Sequence, residues 1–90
     1  MRKRIYFSTI DKDVRRVIGK RLYKKCEERN GYIFTERSNG DIEYLLSSEA
    51  GRKLNKYINE HKHSRLAKAY VVSGEFSNHW KFRFEIDSWQ

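Results

Sequence analysis

The sequence predicts a single α+β domain, an antiparallel sheet with two helices on one face, and three patterns predict it. Val14, Ile18, Leu22 and Cys26 recur at every fourth position with Val17 beside them, the stripe of an amphipathic helix. Phe82, Phe84 and Ile86 alternate with Lys81, Arg83 and Glu85, the two-residue period of a half-buried strand. Asn39-Gly40 separates two short runs rich in β-branched and aromatic residues, a strong local signal for a hairpin.

Taken in order, residues 4–10 (Arg-Ile-Tyr-Phe-Ser-Thr-Ile) have strand composition. Asp11 then stands where a helix N-cap belongs, and Asp13 falls in the first turn, where the helix dipole favours an anion. The helix runs to Asn30-Gly31, two residues that tolerate the left-handed C-cap conformation. Segments 32–37 and 42–46 follow as a hairpin. A two-residue turn pairs Arg37 with Ile42, Thr35 with Tyr44 and Ile33 with Leu46 on the core face. Tyr32, Phe34 and Leu45 then share the other face, where Glu36 opposes Glu43.

The second helix begins with Ser47 or Ser48 as N-cap and Glu49 in its first turn, and Ala50, Leu54, Tyr57, Ile58 and His61 form its apolar face. A second hairpin, 69–76 with 81–87, closes the chain. For Tyr70, Val72 and Phe76 to match the apolar face of the last strand, its connection needs an odd length, about three residues around Asn78-His79. Gly74 is the expected bulge. The order is βαββαββ, whose first six elements are those of the split βαβ, or ferredoxin-like, sheet, with one further C-terminal strand.

Ninety residues suffice for one domain, 1–90, which includes a short basic N-terminal arm at 1–4. Thirteen aromatic residues compensate for a modest aliphatic content, since each buries a large area. No run approaches the roughly 20 apolar residues of a membrane span. The single cysteine, Cys26, cannot close an internal disulfide, and the expected setting is the reducing cytoplasm. Its place on the helical stripe makes it a small core residue.

Charge is the strongest functional signal. The net charge is +8, and residues 1–30 hold eleven Lys and Arg against four Asp and Glu, while residues 31–90 hold nine against eight. Self-repulsion of this kind opposes compaction unless a partner gains from it. Arg2, Lys3 and Arg4 form the arm. On a continuous helix Arg16, Lys20 and Lys24 stack along one line, with Arg15 beside the apolar stripe. Cations at one-turn spacing can follow phosphates and release their counterions. The expected function is therefore nucleic-acid binding through Arg2, Lys3, Arg4, Arg15, Arg16, Lys20 and Lys24, with RNA favoured over DNA and low sequence specificity. Arg52, Lys53 and Lys56 on the second helix are the fallback surface. An acidic protein is the alternative partner, because carboxylates attract the same helix. A homodimer is also plausible, through an edge strand or the aromatic second face.

Catalytic and metal signals are weak. His61 and His63 lie about 200° apart on a helix and cannot share one metal, and no spacing gives His79 a catalytic partner. No cofactor is implied. Trp80 and Trp89 read as packing residues. Stacking of bases on Tyr32 and Phe34 is opposed by the facing pair Glu36 and Glu43.

Two resemblances extend this reading. The segment RIYFSTIDKDVRR, with aspartate just after a predicted strand in a basic chain, resembles the small CRISPR-associated ferredoxin-like nucleases and their toxin relatives. That resemblance implies metal-dependent cleavage at Asp11, against a capping role for the same residue. In size and charge the chain also resembles small phage early proteins that block host factors, which implies an inhibitor of a host defence factor such as an RNA-cleaving toxin.

Overall fold

A computed structural model describes residues 6–37 and 40–86. The elements are α1 (Phe7–Ile18), α2 (Lys20–Asn30), β1 (Phe34–Glu36), β2 (Asp41–Ser47), α3 (Ser48–Glu60), α4 (Arg65–Ala69), β3 (Tyr70–Phe76) and β4 (His79–Glu85). The α+β class is as expected: one antiparallel sheet, in the order β1-β2-β4-β3, with the helices packed on one face.

The chain begins differently from the expectation. Residues 7–10 are helical, so the described sheet has four strands rather than five. Composition suggested a strand there, but Phe7, Ile10, Val14 and Ile18 extend the helical stripe backwards at spacings of three and four. Ile10, Val14 and Ile18 are fully buried along it. The spatial order is nevertheless that of the split βαβ sheet, circularly permuted. The central strand expected at the start of the chain is supplied at its end by β4, inserted between β2 and β3.

Gly19 divides the expected first helix in two. Its φ of 90° lies where residues with a Cβ are strained, and α2 turns back against α1. The Tyr23 hydroxyl donates to Asp11 at 2.6 Å, whereas twelve residues of straight helix would separate the two by about 18 Å. At the far end α2 stops as expected, with Gly31 in the left-handed conformation at φ 78°.

In the first hairpin Phe34 pairs with Tyr44, Thr35 with Glu43 and Glu36 with Ile42, one residue out of the expected register. The Arg37 N–H donates to the Asp41 carbonyl and the Gly40 N–H to the Arg37 carbonyl. The connection is thus three residues long, with Gly40 at φ 91°, rather than a two-residue Asn-Gly turn. Asn39 itself lies outside the described residues. A slip of one residue exchanges the faces of a strand. Phe34 accordingly turns to the helices, 4.6 Å from the Phe7 ring, and Glu36 no longer opposes Glu43.

The second hairpin has a two-residue turn, Ser77-Asn78, with both residues at positive φ. The parity problem seen in the sequence is solved elsewhere, by a bulge between Tyr70 and Val72 rather than at Gly74. Tyr70 therefore reaches the inner face beside Phe82 and Phe84, while Val72 and Phe76 remain outside, each about half exposed.

The core is the inner sheet face, Ile42, Tyr44, Leu46, Phe82 and Phe84, packed against Ile10, Val14, Leu54 and Leu66. Burial of each large side chain contributes about 1.5–3 kcal/mol. Ser47 caps α3, accepting from the Ala50 N–H at 3.2 Å, as the sequence indicated. Beyond Glu60 the chain leaves the helix, so His61 is a C-cap and His63 lies in the turn that leads to the unforeseen short helix α4, capped by Ser64. Gly51 lets α3 approach β4, since a Cβ there would collide with the Trp80 ring.

Candidate nucleic-acid interface

Charge is sorted by layer. The helical segments 7–30 and 48–69 hold fourteen Lys and Arg against six Asp and Glu, and the strand segments 31–47 and 70–86 hold three against five. The basic excess expected of the N-terminal third is, among the described residues, a property of the whole helical layer.

Two of the helical acids are consumed internally. Asp13 is 2% exposed. Its Oδ1 accepts from Arg16 Nη1 at 3.2 Å and Arg65 Nη2 at 2.9 Å, and its Oδ2 accepts from Arg65 Nε at 3.1 Å. One buried carboxylate thus draws together two half-exposed guanidiniums, one from its own helix and one from Arg65, 52 positions further along the chain. The hydrogen bonds from Arg65 raise its pKa further and keep it charged. Beside this pair, Arg16, Val17, Lys53, Lys56, Tyr57 and Glu60 line a groove of about 380 Å³ between α1 and α3. Its cations are Arg16, Lys53 and Lys56, and the Tyr57 ring lies 4.3 Å from the His61 ring.

Asp11 is occupied in a different way. Its Oδ1 accepts from the hydroxyls of Tyr23 at 2.6 Å and Tyr44 at 2.7 Å, and its Oδ2 from Arg15 Nε at 2.9 Å. Burial first, then the adjacent carboxylate, pushes the pKa of each tyrosine well above its usual value. The Arg15 guanidinium also lies over the Tyr23 ring, 4.1 Å from its centroid. Asp11 is therefore neither a helix cap nor a strand-end residue. It is a mid-helix carboxylate that ties α1 to α2 and β2, with three donors filling its oxygens.

The residues expected to bind are distributed as follows. Arg2, Lys3 and Arg4 lie outside the described residues. Arg15 and Arg16 are exposed on α1 but engaged by Asp11 and Asp13. Lys20 and Lys24 are exposed on α2, so the single line Arg16-Lys20-Lys24 does not exist, because Gly19 breaks the helix that would carry it. Arg16 instead shares a groove with Lys53 and Lys56, two of the three fallback residues, while the third, Arg52, does not line it. The contribution of Arg65 was missed, since nothing local links it to Asp13.

The open sheet face is nearly self-neutralised. Arg37 meets Glu43 at 3.7 Å, Arg83 meets Asp41 at 3.4 Å, and Lys81 Nζ lies 5.2 Å from the Phe76 ring centroid. Phe34 has left this face, which removes it as a stacking platform there. His79 is held by its own turn, its Nδ1–H donating to the Ser77 carbonyl oxygen at 3.0 Å. Among the described residues there is no group of three His, Cys, Asp or Glu placed to hold a metal. Cys26 is buried, its Sγ accepting from the Ser47 N–H at 3.3 Å. Among the described residues no helix is long and apolar enough to cross a membrane.

No protein-family model, curated protein or solved structure matches the chain.

Proposed function

We propose that the protein is a non-enzymatic nucleic-acid-binding protein, with RNA the preferred ligand over DNA, which grips phosphates through its helical layer. The observation that carries this reading is the sorting of charge: a strongly basic helical layer over a sheet that is slightly acidic. Arg16, Lys53 and Lys56 at the groove between α1 and α3 form its centre, with Arg65 alongside and Arg15, Lys20 and Lys24 extending it. Phosphate contacts of this kind position a polyanion without reading bases, so sequence preference is low.

The reading is tested with nuclease-treated protein and fluorescent RNA and DNA of matched sequence. Binding is expected at about 50 mM salt and falls steeply by about 200 mM, with a log–log slope that counts the phosphates neutralised. Anisotropy that stays flat with every nucleic acid at the lower salt overturns it and leaves an acidic protein as the partner to seek.

A further inference from the structure

β3 is an edge strand of seven residues with no proline and one charge, Glu75, the features that protected edges avoid. Val71, Val72 and Phe76 are 42%, 50% and 48% exposed along it. We infer that this edge pairs antiparallel with the same edge of a second copy of the chain, with Gly74 opposite Gly74.

The register follows from the backbone. The two-residue turn makes Phe76 and His79 a hydrogen-bonded pair, so Val72, Gly74 and Phe76 direct their backbone groups to β4. Ser73 and Glu75 therefore direct theirs to the free edge. Pairing centred on Gly74 sets Ser73 of one copy opposite Glu75 of the other, twice, and joins groups that already point outward. The same register places Phe76 of each copy against Val72 of the other on the outer face. Centring on Glu75 instead would oppose two like charges, and centring on Ser73 would put Val72 against glycine. No Cβ-blocking atom lies within 4 Å of Gly74, so the centre of the contact is open.

Electrostatics weigh against pairing through the helices. Two copies meeting through their helical layers would bring two strongly basic surfaces together, whereas the strand segments carry three cations against five anions. An antiparallel strand pair has its two-fold axis perpendicular to the sheet, so the dimer is a continuous eight-stranded sheet with both helical layers on one side. That geometry doubles the phosphate-binding surface, although the pairing itself is independent of nucleic acid.

Sedimentation of the nucleic-acid-free protein at about 0.1 mM tests it, in a range where micromolar complexes are populated. The expected mass is twice 10.9 kDa. Val72→Lys with Phe76→Lys, both at half-exposed sites, is expected to weaken the dimer at least about tenfold with an unchanged circular dichroism spectrum. Register is tested by cysteine oxidation. Opposed Cα atoms of a non-hydrogen-bonded pair lie about 4.5 Å apart, within disulfide range, so Gly74→Cys cross-links rapidly while Ser73→Cys does not. Buried Cys26 does not compete. A monomer at this concentration, a dimer that survives the double lysine variant, or equal cross-linking at both positions overturns the inference.

Discussion

The helical layer and the sheet face away from it treat charge in opposite ways. On the sheet, Arg37 and Arg83 are each answered by a carboxylate on the same face, and Lys81 rests near an aromatic ring. On the helices, the two acids nearest the middle of α1 are turned inward, Asp11 to two tyrosines and Asp13 to two arginines. Their charges serve the packing of the layer, and among the described residues most lysines and arginines of the helices make no ion pair. Among the described residues the basic excess therefore belongs to the helical layer, while the strand segments are slightly acidic. The difference also separates three kinds of position: those that hold the layers together, those that face a ligand, and those that do neither.

Five variants and one change of pH test that separation. Asp11→Ala removes the acceptor of two buried hydroxyls and is expected to cost about 2–4 kcal/mol in a urea melt. RNA affinity of the folded protein should hardly change, and a loss of binding larger than the loss of folded protein would make Asp11 part of the ligand surface. Lys53→Glu with Lys56→Glu should do the reverse. Affinity for RNA falls about 100-fold, equivalent to about 2.7 kcal/mol, and the salt slope drops by about two, while the melting temperature stays close to that of the parent. Lys81→Glu on the sheet face is the matched control and should shift affinity by less than about threefold by anisotropy. Equal effects of the two charge changes would abolish the distinction between the faces.

Gly51→Ala probes the seam between the layers. The added methyl meets the Trp80 ring, and overpacking of this kind costs about 1–3 kcal/mol, to be read by chemical denaturation with unchanged binding by the folded fraction. The smallest effect near neutral pH, growing with alkalinity, concerns Tyr23 and Tyr44. Both have folded pKa values raised above the unfolded value near 10, by burial and by the neighbouring Asp11 carboxylate. The unfolded chain then loses these protons first. Their contribution is complete below about pH 10 and declines as pH rises beyond it, by up to about 1.4 kcal/mol per pH unit for each tyrosine. A variant carrying Tyr23→Phe and Tyr44→Phe should be less stable at pH 8 but show a flatter decline from pH 10 to 12 in thermal melts.

The nuclease-like resemblance of RIYFSTIDKDVRR rested on a strand that ends just before Asp11, and residues 7–10 of that segment are helical. Cleavage that survives Asp11→Ala would have to come from another residue. The stacking surface imagined on Tyr32 and Phe34 dissolved for a comparable reason, because one extra residue in the hairpin connection turned Phe34 inward.

Patterns that rest on local physics were legible from the sequence alone. Ser47 as a cap, Gly31 as a helix stop, the alternating strand around Phe82 and Phe84, and the burial of Cys26 each follow from a few neighbouring residues. So did the α+β class and the excess of basic residues. Tertiary structure decided the rest. Whether 7–10 is strand or helix depended on what its apolar side chains pack against, since the same residues satisfy both periods over so short a run. The break at Gly19 became visible only when α2 folded back to put Tyr23 on Asp11. The convergence of Arg16 and Arg65 on Asp13 spans 52 residues, and no local rule encodes it. Charge itself was written in the sequence; the face that displays it was chosen by how the helices pack.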